Sequence, residues 1–333
     1  MLPLALLLEG AFFMAEPRFI RVTEIDSFFT CGHRWKLQQD GEIMQRESMP
    51  LIRGGAVHAS REFAFNHWLG KEDKKTKGKW PSYDEMVLAG NRDFLMRAGG
   101  ESAQYDDERG EYMLHTDSGE KVCESDVMAE IAPYVAFDRQ FVLPHLAQLE
   151  IVACEERWEL PLHDPELKDD YVITGKVDLL VREIGSGRLA LHDLKTGSKI
   201  QQADADQRQQ LAGYSAGIHA EYGEYPMHAL GSPRFLKNKP KKLEPGAICE
   251  PFVMDAGTER ERTLFGIYET VSTDRNEHDV QVFLARLKQM LLMVEANVFP
   301  PAASGFMSEC YRCELAKRRK DRCAFAGTAG GKA

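Results

Sequence analysis

Apolar positions along the chain follow two rhythms that meet near residue 149. Upstream the period is helical. A short strand or turn opens a helix within 18–36, residues 54–69 set Val57, Arg61, Ala64 and Trp68 on one side, and 82–98 and 124–147 repeat the pattern. Between them, 71–80 carries five lysines and Gly78 and reads as an exposed loop, while the polar, glycine-containing 99–121 reads as mobile. Downstream the period falls to two, and 151–160, 171–182 and 188–196 read as three consecutive strands. A helix over 204–222 begins with acidic residues suited to its positive end. Strands at 226–236 and 248–254 and a long helix over 259–296 complete the expected order. Strands in a meander, a helix, then further strand make an α/β arrangement.

Composition narrows the class without naming a function. The 333 residues hold 52 acidic and 42 basic side chains, a net charge of -10, which excludes coating nucleic acid or an anionic membrane through net charge alone. Hydrophobic content of 43% with 28% charged residues suits a globular chain with a sizeable core. No run of 18 apolar residues exists, so no membrane association is expected. Residues 1–17 read as a leader or a mis-assigned start, because the apolar opening lacks a basic start and a small-residue cleavage site, and Met14 precedes the polar segment. Seven cysteines, an odd number, fit no disulfide framework and point to the cytoplasm.

The informative feature is a hairpin. Gly185-Ser186-Gly187 is a turn signal, and a hairpin centred between Gly185 and Ser186 pairs positions that sum to 371, which sets Asp178 opposite Asp193. Opposed side chains on such a pair lie about 4.5–5.5 Å apart at Cβ, where two carboxylates repel. Lys195 follows Asp193 by two positions and shares its face. A divalent cation with hard oxygen ligands would relieve the repulsion and could activate water against a phosphoryl group. The same spacing also describes a solvated strand face with an Asp–Lys ion pair. Two further groups stand nearby in sequence: His58, in Gly54-Gly-Ala-Val-His58, and Gln210 with Tyr214 at i and i+4 on one helix face.

In order, Gly-x-x-x-His58, Gly175-Lys-Val-Asp178, Asp193-Leu194-Lys195-Thr-Gly197 and Gln210-x-x-x-Tyr214 resemble the RecB-like branch of the PD-(D/E)XK nuclease superfamily. The resemblance spans about 54–214, with Val177 where a proline often precedes the first acid. It implies a restriction-endonuclease-like core, a mixed central sheet flanked by helices. It implies that His58, Asp178, Asp193 and the carbonyl of Leu194 hold Mg²⁺ or Mn²⁺, that Lys195 is the catalytic lysine, and that Gln210 and Tyr214 position DNA or the attacking water. The implied activity is a metal-dependent deoxyribonuclease, most simply an exonuclease working at DNA ends or single strands in recombination or repair. An accessory nuclease of CRISPR spacer acquisition and a non-catalytic DNA-end binding module are the alternatives.

Cys310-x-x-Cys313 with Cys323 closes the chain, and a CxxC alone fits zinc, other chemistry or chance. Together with Cys31, the set is similar to the iron–sulfur subset of the same family, as in AddB-type nuclease domains and four-cysteine CRISPR-associated exonucleases. The similarity implies a [4Fe–4S] cluster on Cys31, Cys310, Cys313 and Cys323, stapling the N-terminal segment to the C-terminal tail. Cys123, Cys154 and Cys249 read as free thiols. A redox switch is a further reading of such a cluster.

Basic residues cluster at 71–79, 234–242 and 317–322. Lys237, Lys239, Lys241 and Lys242 are the candidate DNA contacts, with phosphates as their targets. No GxxxxGK[ST] loop occurs, so a helicase or recombination protein would be a separate partner chain. The expected organisation is one nuclease domain over 18–325, with a helical insertion about 60–147, a catalytic core about 148–256, a C-terminal helix and cysteine cluster 257–325, and a disordered tail at 326–333.

Overall fold

The computed structural model describes residues 17–41, 49–98, 103–115, 121–146, 148–196, 201–243, 247–254 and 261–300. The expected leader at 1–16, the three terminal cysteines and the expected tail at 326–333 lie outside the described residues.

Near-continuous apolar runs with few polar interruptions make strands that are buried on both faces. β5 (Glu150–Leu162), β6 (Tyr171–Arg182) and β7 (Leu189–Leu194) form the expected meander. They join β1 (Arg18–Arg21), β8 (Met227–Leu236), β9 (Ile248–Met254) and β10 (Arg262–Asp274) in one seven-stranded sheet of order β1-β6-β7-β8-β10-β9, with β5 also paired to β6. The sheet is mixed: β1 with β6 and β7 with β8 are parallel, and the other pairs are antiparallel. On one face Leu180, Leu189 and Leu191 pack with Phe28 of α1 (Val22–Thr30), Ile218 of α8 (Gln209–Tyr222) and Phe283 and Leu287 of α9 (Glu277–Glu295). On the other, Leu179, Val181 and Ala190 meet Phe65 of α3 (Met49–Leu69), Met86 of α4 (Tyr83–Ala98), Phe137 of α5 (Glu124–Phe137) and Leu143 of α6 (Leu143–Leu146). Helices on both faces of a mixed sheet make the restriction-endonuclease-like core that the motifs implied. Short α2 (Gly32–Gln39) and α7 (Gln202–Gln207) precede α3 and α8.

Three expectations change. The stretch over 259–296 is not one helix: Arg262–Asp274 is β10, sandwiched between β8 and β9, and α9 starts only after Asn276. Thr263, Ile267, Thr270, Val271 and Thr273 are β-branched and suit a pleated strand. The Asn276 side chain accepts from Asp279 N, and Asp279 returns the bond to Asn276 N, a reciprocal cap that starts the helix there. The sheet therefore runs past the expected core limit of 256. Second, the 99–121 segment holds strands β2 (Ala103–Asp106) and β3 (Glu111–His115), which pair with each other, and β3 also pairs with β4 (Lys121–Cys123). Asp106 accepts from the backbone N–H of Glu108 and Arg109, and Gly110 adopts φ 70°, so a turn closes this hairpin and the insertion is not purely helical. Third, the helix expected over 204–222 breaks at Arg208, whose extended backbone separates α7 from α8.

Candidate metal centre

The turn sets the register of β6 and β7. The observed pairs, Leu179 with His192 through Arg182 with Leu189, sum to 371. The ladder then stops beside Asp178. β7 continues alongside β8, where Lys195 N–H donates to Gly231 O at 2.8 Å. On the same edge of β6, β1 pairs only as far as Thr174. Residues 175–178 thus face a split between two neighbours. There the Leu194 N–H, which would otherwise continue the ladder, donates to Asp178 Oδ2 at 3.1 Å. At Gly175, a Cβ would lie 2.3 Å from the indole of its cross-strand partner Trp158, so the strand passes here only without a side chain.

β5 contributes a residue that the motifs do not include. Ala153 and Trp158, five residues apart, pack into the same core, and so do Val177 and Leu180, three apart. The alternation therefore slips one step in both strands. Glu155 lies at that slip with φ 51°, a left-handed conformation that costs a non-glycine residue about 1–3 kcal/mol. The kink turns its carboxylate toward His58, whose Nδ1 is 3.7 Å from Glu155 Oε1 and 3.4 Å from Asp178 Oδ2. Ligand atoms of His58, Glu155 and Asp178 all lie within 4.8 Å of one another. The only early sign of Glu155 was a double acid within a predicted strand. A strictly alternating strand gives no reason to choose its first member.

α3 brings His58 to this point. Gly54, one turn earlier, passes Thr196 so closely that a Cβ would sit 3.1 Å from Thr196 Oγ1. His58 Nε2 is 3.1 Å from the Leu194 carbonyl oxygen, which can only accept, so Nε2 carries the hydrogen. The Nδ1 lone pair of the neutral ring is then aimed at the carboxylates, the arrangement by which a histidine ligand is oriented from behind. Leu194 reaches the cluster, and its carbonyl is the acceptor for His58 in this structure.

Electrostatics show what the cluster lacks. Asp193 is 7% exposed, and burial, augmented by the Asp178 charge and opposed by Lys195, pushes its pKa up to about 6. Lys195 Nζ stands 2.6 Å from Asp193 Oδ2. Burial alone would depress His58, but Asp178, Glu155 and Asp193 outweigh it and its pKa is raised. Burial likewise opposes ionisation of Glu155, yet His58 and Lys176, whose Nζ is 2.5 Å away, hold it below the usual carboxylate range. Three carboxylates thus converge on one histidine and two lysines. A hard divalent cation is the ligand that such a donor set fits.

Gln210 and Tyr214 come to the edge of the same site. Gln210 Nε2 donates to the Tyr214 hydroxyl at 2.9 Å, and burial, with the nearby Asp193, Asp178 and Glu155 charges, raises the phenol to about 12. Across the cleft, Arg61 forks onto Asp138 at 2.5 and 2.6 Å, a buried ion pair that neutralises itself. Cys31 sits at the junction of α1 and α2, and its neighbour Gly32 donates to the Pro300 carbonyl at 2.8 Å. Cys310, Cys313 and Cys323 are outside the described residues. Cys123 and Cys154 are buried free thiols, and Cys249 is a half-buried one. Lys237, Lys239, Lys241 and Lys242 are exposed beyond the end of β8. No described helix is long and apolar enough to cross a membrane.

Among solved structures, the chain is similar to a "Putative exonuclease" from Eubacterium rectale at 11% identity, over 91% of this chain and 88% of that one, with a TM-score of 0.47. It is also similar to SSO0001 at 11% identity, over 88% of this chain and 95% of that one, with a TM-score of 0.31. No curated protein matches it. A family model for the PD-(D/E)XK nuclease superfamily matches residues 22–318, nearly the whole chain, and on that match the protein belongs to this superfamily.

Proposed function

We propose that this nuclease is a Mg²⁺- or Mn²⁺-dependent deoxyribonuclease, an exonuclease that hydrolyses phosphodiesters at DNA ends or single strands in recombination or repair. The observation that carries the reading is the convergence of His58, Glu155 and Asp178 within 4.8 Å, beside a buried Asp193 whose charge is under-compensated. Superfamily membership supports phosphodiester hydrolysis, and divalent metals are the cofactors that such nucleases use.

His58, Asp178 and Asp193 would hold the cation, with Glu155 as a further ligand, and the Leu194 carbonyl, which accepts from His58 Nε2, would join them only by releasing that bond. A cation bound there supplies Lewis acidity to the scissile phosphate and lowers the pKa of the attacking water. Asp193 keeps Lys195 pointed into the cleft, where its ammonium can orient that water or offset charge that builds on the phosphate. Gln210 fixes the Tyr214 hydroxyl for a contact to DNA or water, and its high pKa keeps it a donor at neutral pH. Lys237, Lys239, Lys241 and Lys242 supply phosphate contacts at the end of β8. A cytoplasmic setting and a separate helicase or recombination partner complete the proposal.

The same reading includes a [4Fe–4S] cluster on Cys31, Cys310, Cys313 and Cys323. Its support is local: Phe299 stacks on Trp35 at 6.2 Å, and the Gly32–Pro300 hydrogen bond returns the chain to Cys31 ten residues before Cys310. The cluster would clamp the two ends of the chain and take no part in hydrolysis.

The test is digestion of end-labelled duplex and single-stranded DNA by anaerobically purified protein with Mg²⁺ or Mn²⁺, beside Asp193→Ala. Progressive loss of label in the parent alone supports the enzyme. Retained DNA binding without cleavage by either protein would replace it with a binding module.

A further inference from the structure

The loop after α3 carries Lys71, Lys74, Lys75, Lys77 and Lys79 against Glu72 and Asp73, a net of +3 in a chain whose net charge is -10. All five lysines are exposed, and among the described residues none of them forms an ion pair. Elsewhere the abundant acids find partners: Arg18 pairs with Asp169, Arg53 with Glu130, Arg182 with Glu224 and Lys288 with Asp164. Of the two acids inside the loop, Asp73 is turned onto the backbone N–H of Lys75.

The loop is also rigidly mounted. Lys71 N–H donates to Asn66 O at 3.0 Å and Gly78 N–H to Trp68 O at 2.8 Å, while the Thr76 hydroxyl donates to His67 O at 2.7 Å. His67 Nδ1 lies 2.9 Å from Lys79 O, and Trp80 stacks on Trp68 at 4.3 Å. This knuckle ends the helix that bears His58. α3 ends at Leu69, and the eleven residues from His58 to that point, at 1.5 Å each, put the knuckle about 16 Å along the helix from that histidine. Repeated charges on a pinned backbone, unpaired among the described residues, suit a polyanion whose charges are also regularly spaced. Residues 71–79 hold no aromatic side chain, and Trp80 just beyond them stacks on Trp68, so the loop itself presents ammonium groups and no ring for unpaired bases.

We propose that the 71–79 knuckle is a second DNA-contact site, which grips the phosphate backbone of duplex DNA about five phosphates from the reacting bond. This inference rests on the nuclease reading for its substrate, but its test does not require turnover. The knuckle would hold the duplex behind the end that enters the metal centre, so it acts on affinity and substrate length and leaves the chemistry alone.

The experiment measures binding of the full chain, in EDTA, to a 30-base-pair duplex and to a 30-nucleotide single strand across a salt series, beside Lys74→Gln/Lys75→Gln/Lys77→Gln. Each phosphate contact on B-form DNA adds about 0.9 to the log–log salt slope, so the triple variant should lose roughly two to three units on duplex. The slope on the single strand should stay the same. Parent and variant should converge on duplexes of about four base pairs, which cannot span the gap. An unchanged duplex slope, an equal loss on both substrates, or no duplex binding by the parent would each overturn the proposal. Failure of the nuclease reading shows separately, as absence of metal-dependent cleavage by a parent protein that still binds.

Discussion

Arg61 and the Asp178–Asp193 pair line one cleft, yet they solve the burial of charge in different ways. Arg61 meets Asp138 with two parallel contacts, so burial, which would lower its pKa, is outweighed by the carboxylate and the guanidinium is held more firmly charged. Around Asp178 the acids share His58, Lys176 and Lys195, and burial, with the Asp178 charge adding to it and Lys195 opposing it, drives Asp193 toward protonation. The first cluster is complete as it stands. The second is stabilised only by a proton or a cation. A buried charge that the fold neutralises belongs to the architecture, and one that it leaves over marks where a ligand enters.

The sharpest way to break this contrast is Asp193→Asn. It should reduce cleavage by at least about a thousandfold, because a catalytic cation supplies several kcal/mol. It should also raise the melting temperature of the metal-free protein, since a repelled buried charge is gone. An activity loss accompanied by lower metal-free stability would count against the cluster being under-compensated. Arg61→Met should do the reverse. It leaves Asp138 buried and unpaired, and should cost about 3–5 kcal/mol of stability in denaturant titration. Adding Asp138→Leu should recover most of that loss.

Glu155→Gln sharpens the comparison from inside the site. We expect Mn²⁺ affinity, read by calorimetry, to fall roughly 10- to 100-fold with the fold intact, a loss of the size seen when a metal site is perturbed. The pH dependence of the metal-free protein follows from signs. Asp193 is raised from about 4 to about 6, so across that window the folded state holds the extra proton and stability falls as pH rises. His58 is also raised, so it stabilises below its ordinary value near 6.5 and loses that contribution as pH passes its higher folded value. Metal-free protein should therefore melt highest in mild acid, and the rise in melting temperature on adding Mn²⁺ should grow from pH 5.5 to pH 8. Tyr214→Phe should have the smallest effect. It removes the acceptor of one hydrogen bond, worth about 1 kcal/mol, and should slow turnover severalfold in steady-state assays.

What the sequence disclosed follows a physical boundary. A glycine-containing four-residue turn at 184–187 sets a register, so Asp178 opposite Asp193 could be read by counting, and the observed pairs keep the same sum. Gly54 and His58 share a helix face for the same kind of reason. Glu155 could not be read, because its position depends on a slip in alternation and a left-handed kink that emerge only when β5 packs. β10 was hidden by its own polar residues Glu269 and Thr273, which are buried in the sheet, and by its continuity with the amphipathic α9. Arg61 was visible only as a member of a helix face, since its partner Asp138 lies 77 residues away.

The most direct test of the central claim is the thermal shift of the metal-free protein on addition of Mn²⁺ at pH 7.5, for the parent, Asp193→Asn and Arg61→Met/Asp138→Leu. The account predicts a saturable rise in the parent and in the Arg61–Asp138 double variant, and little or none in Asp193→Asn. An equal rise in all three would place the cation elsewhere and contradict the assignment of the unbalanced cluster as the metal centre.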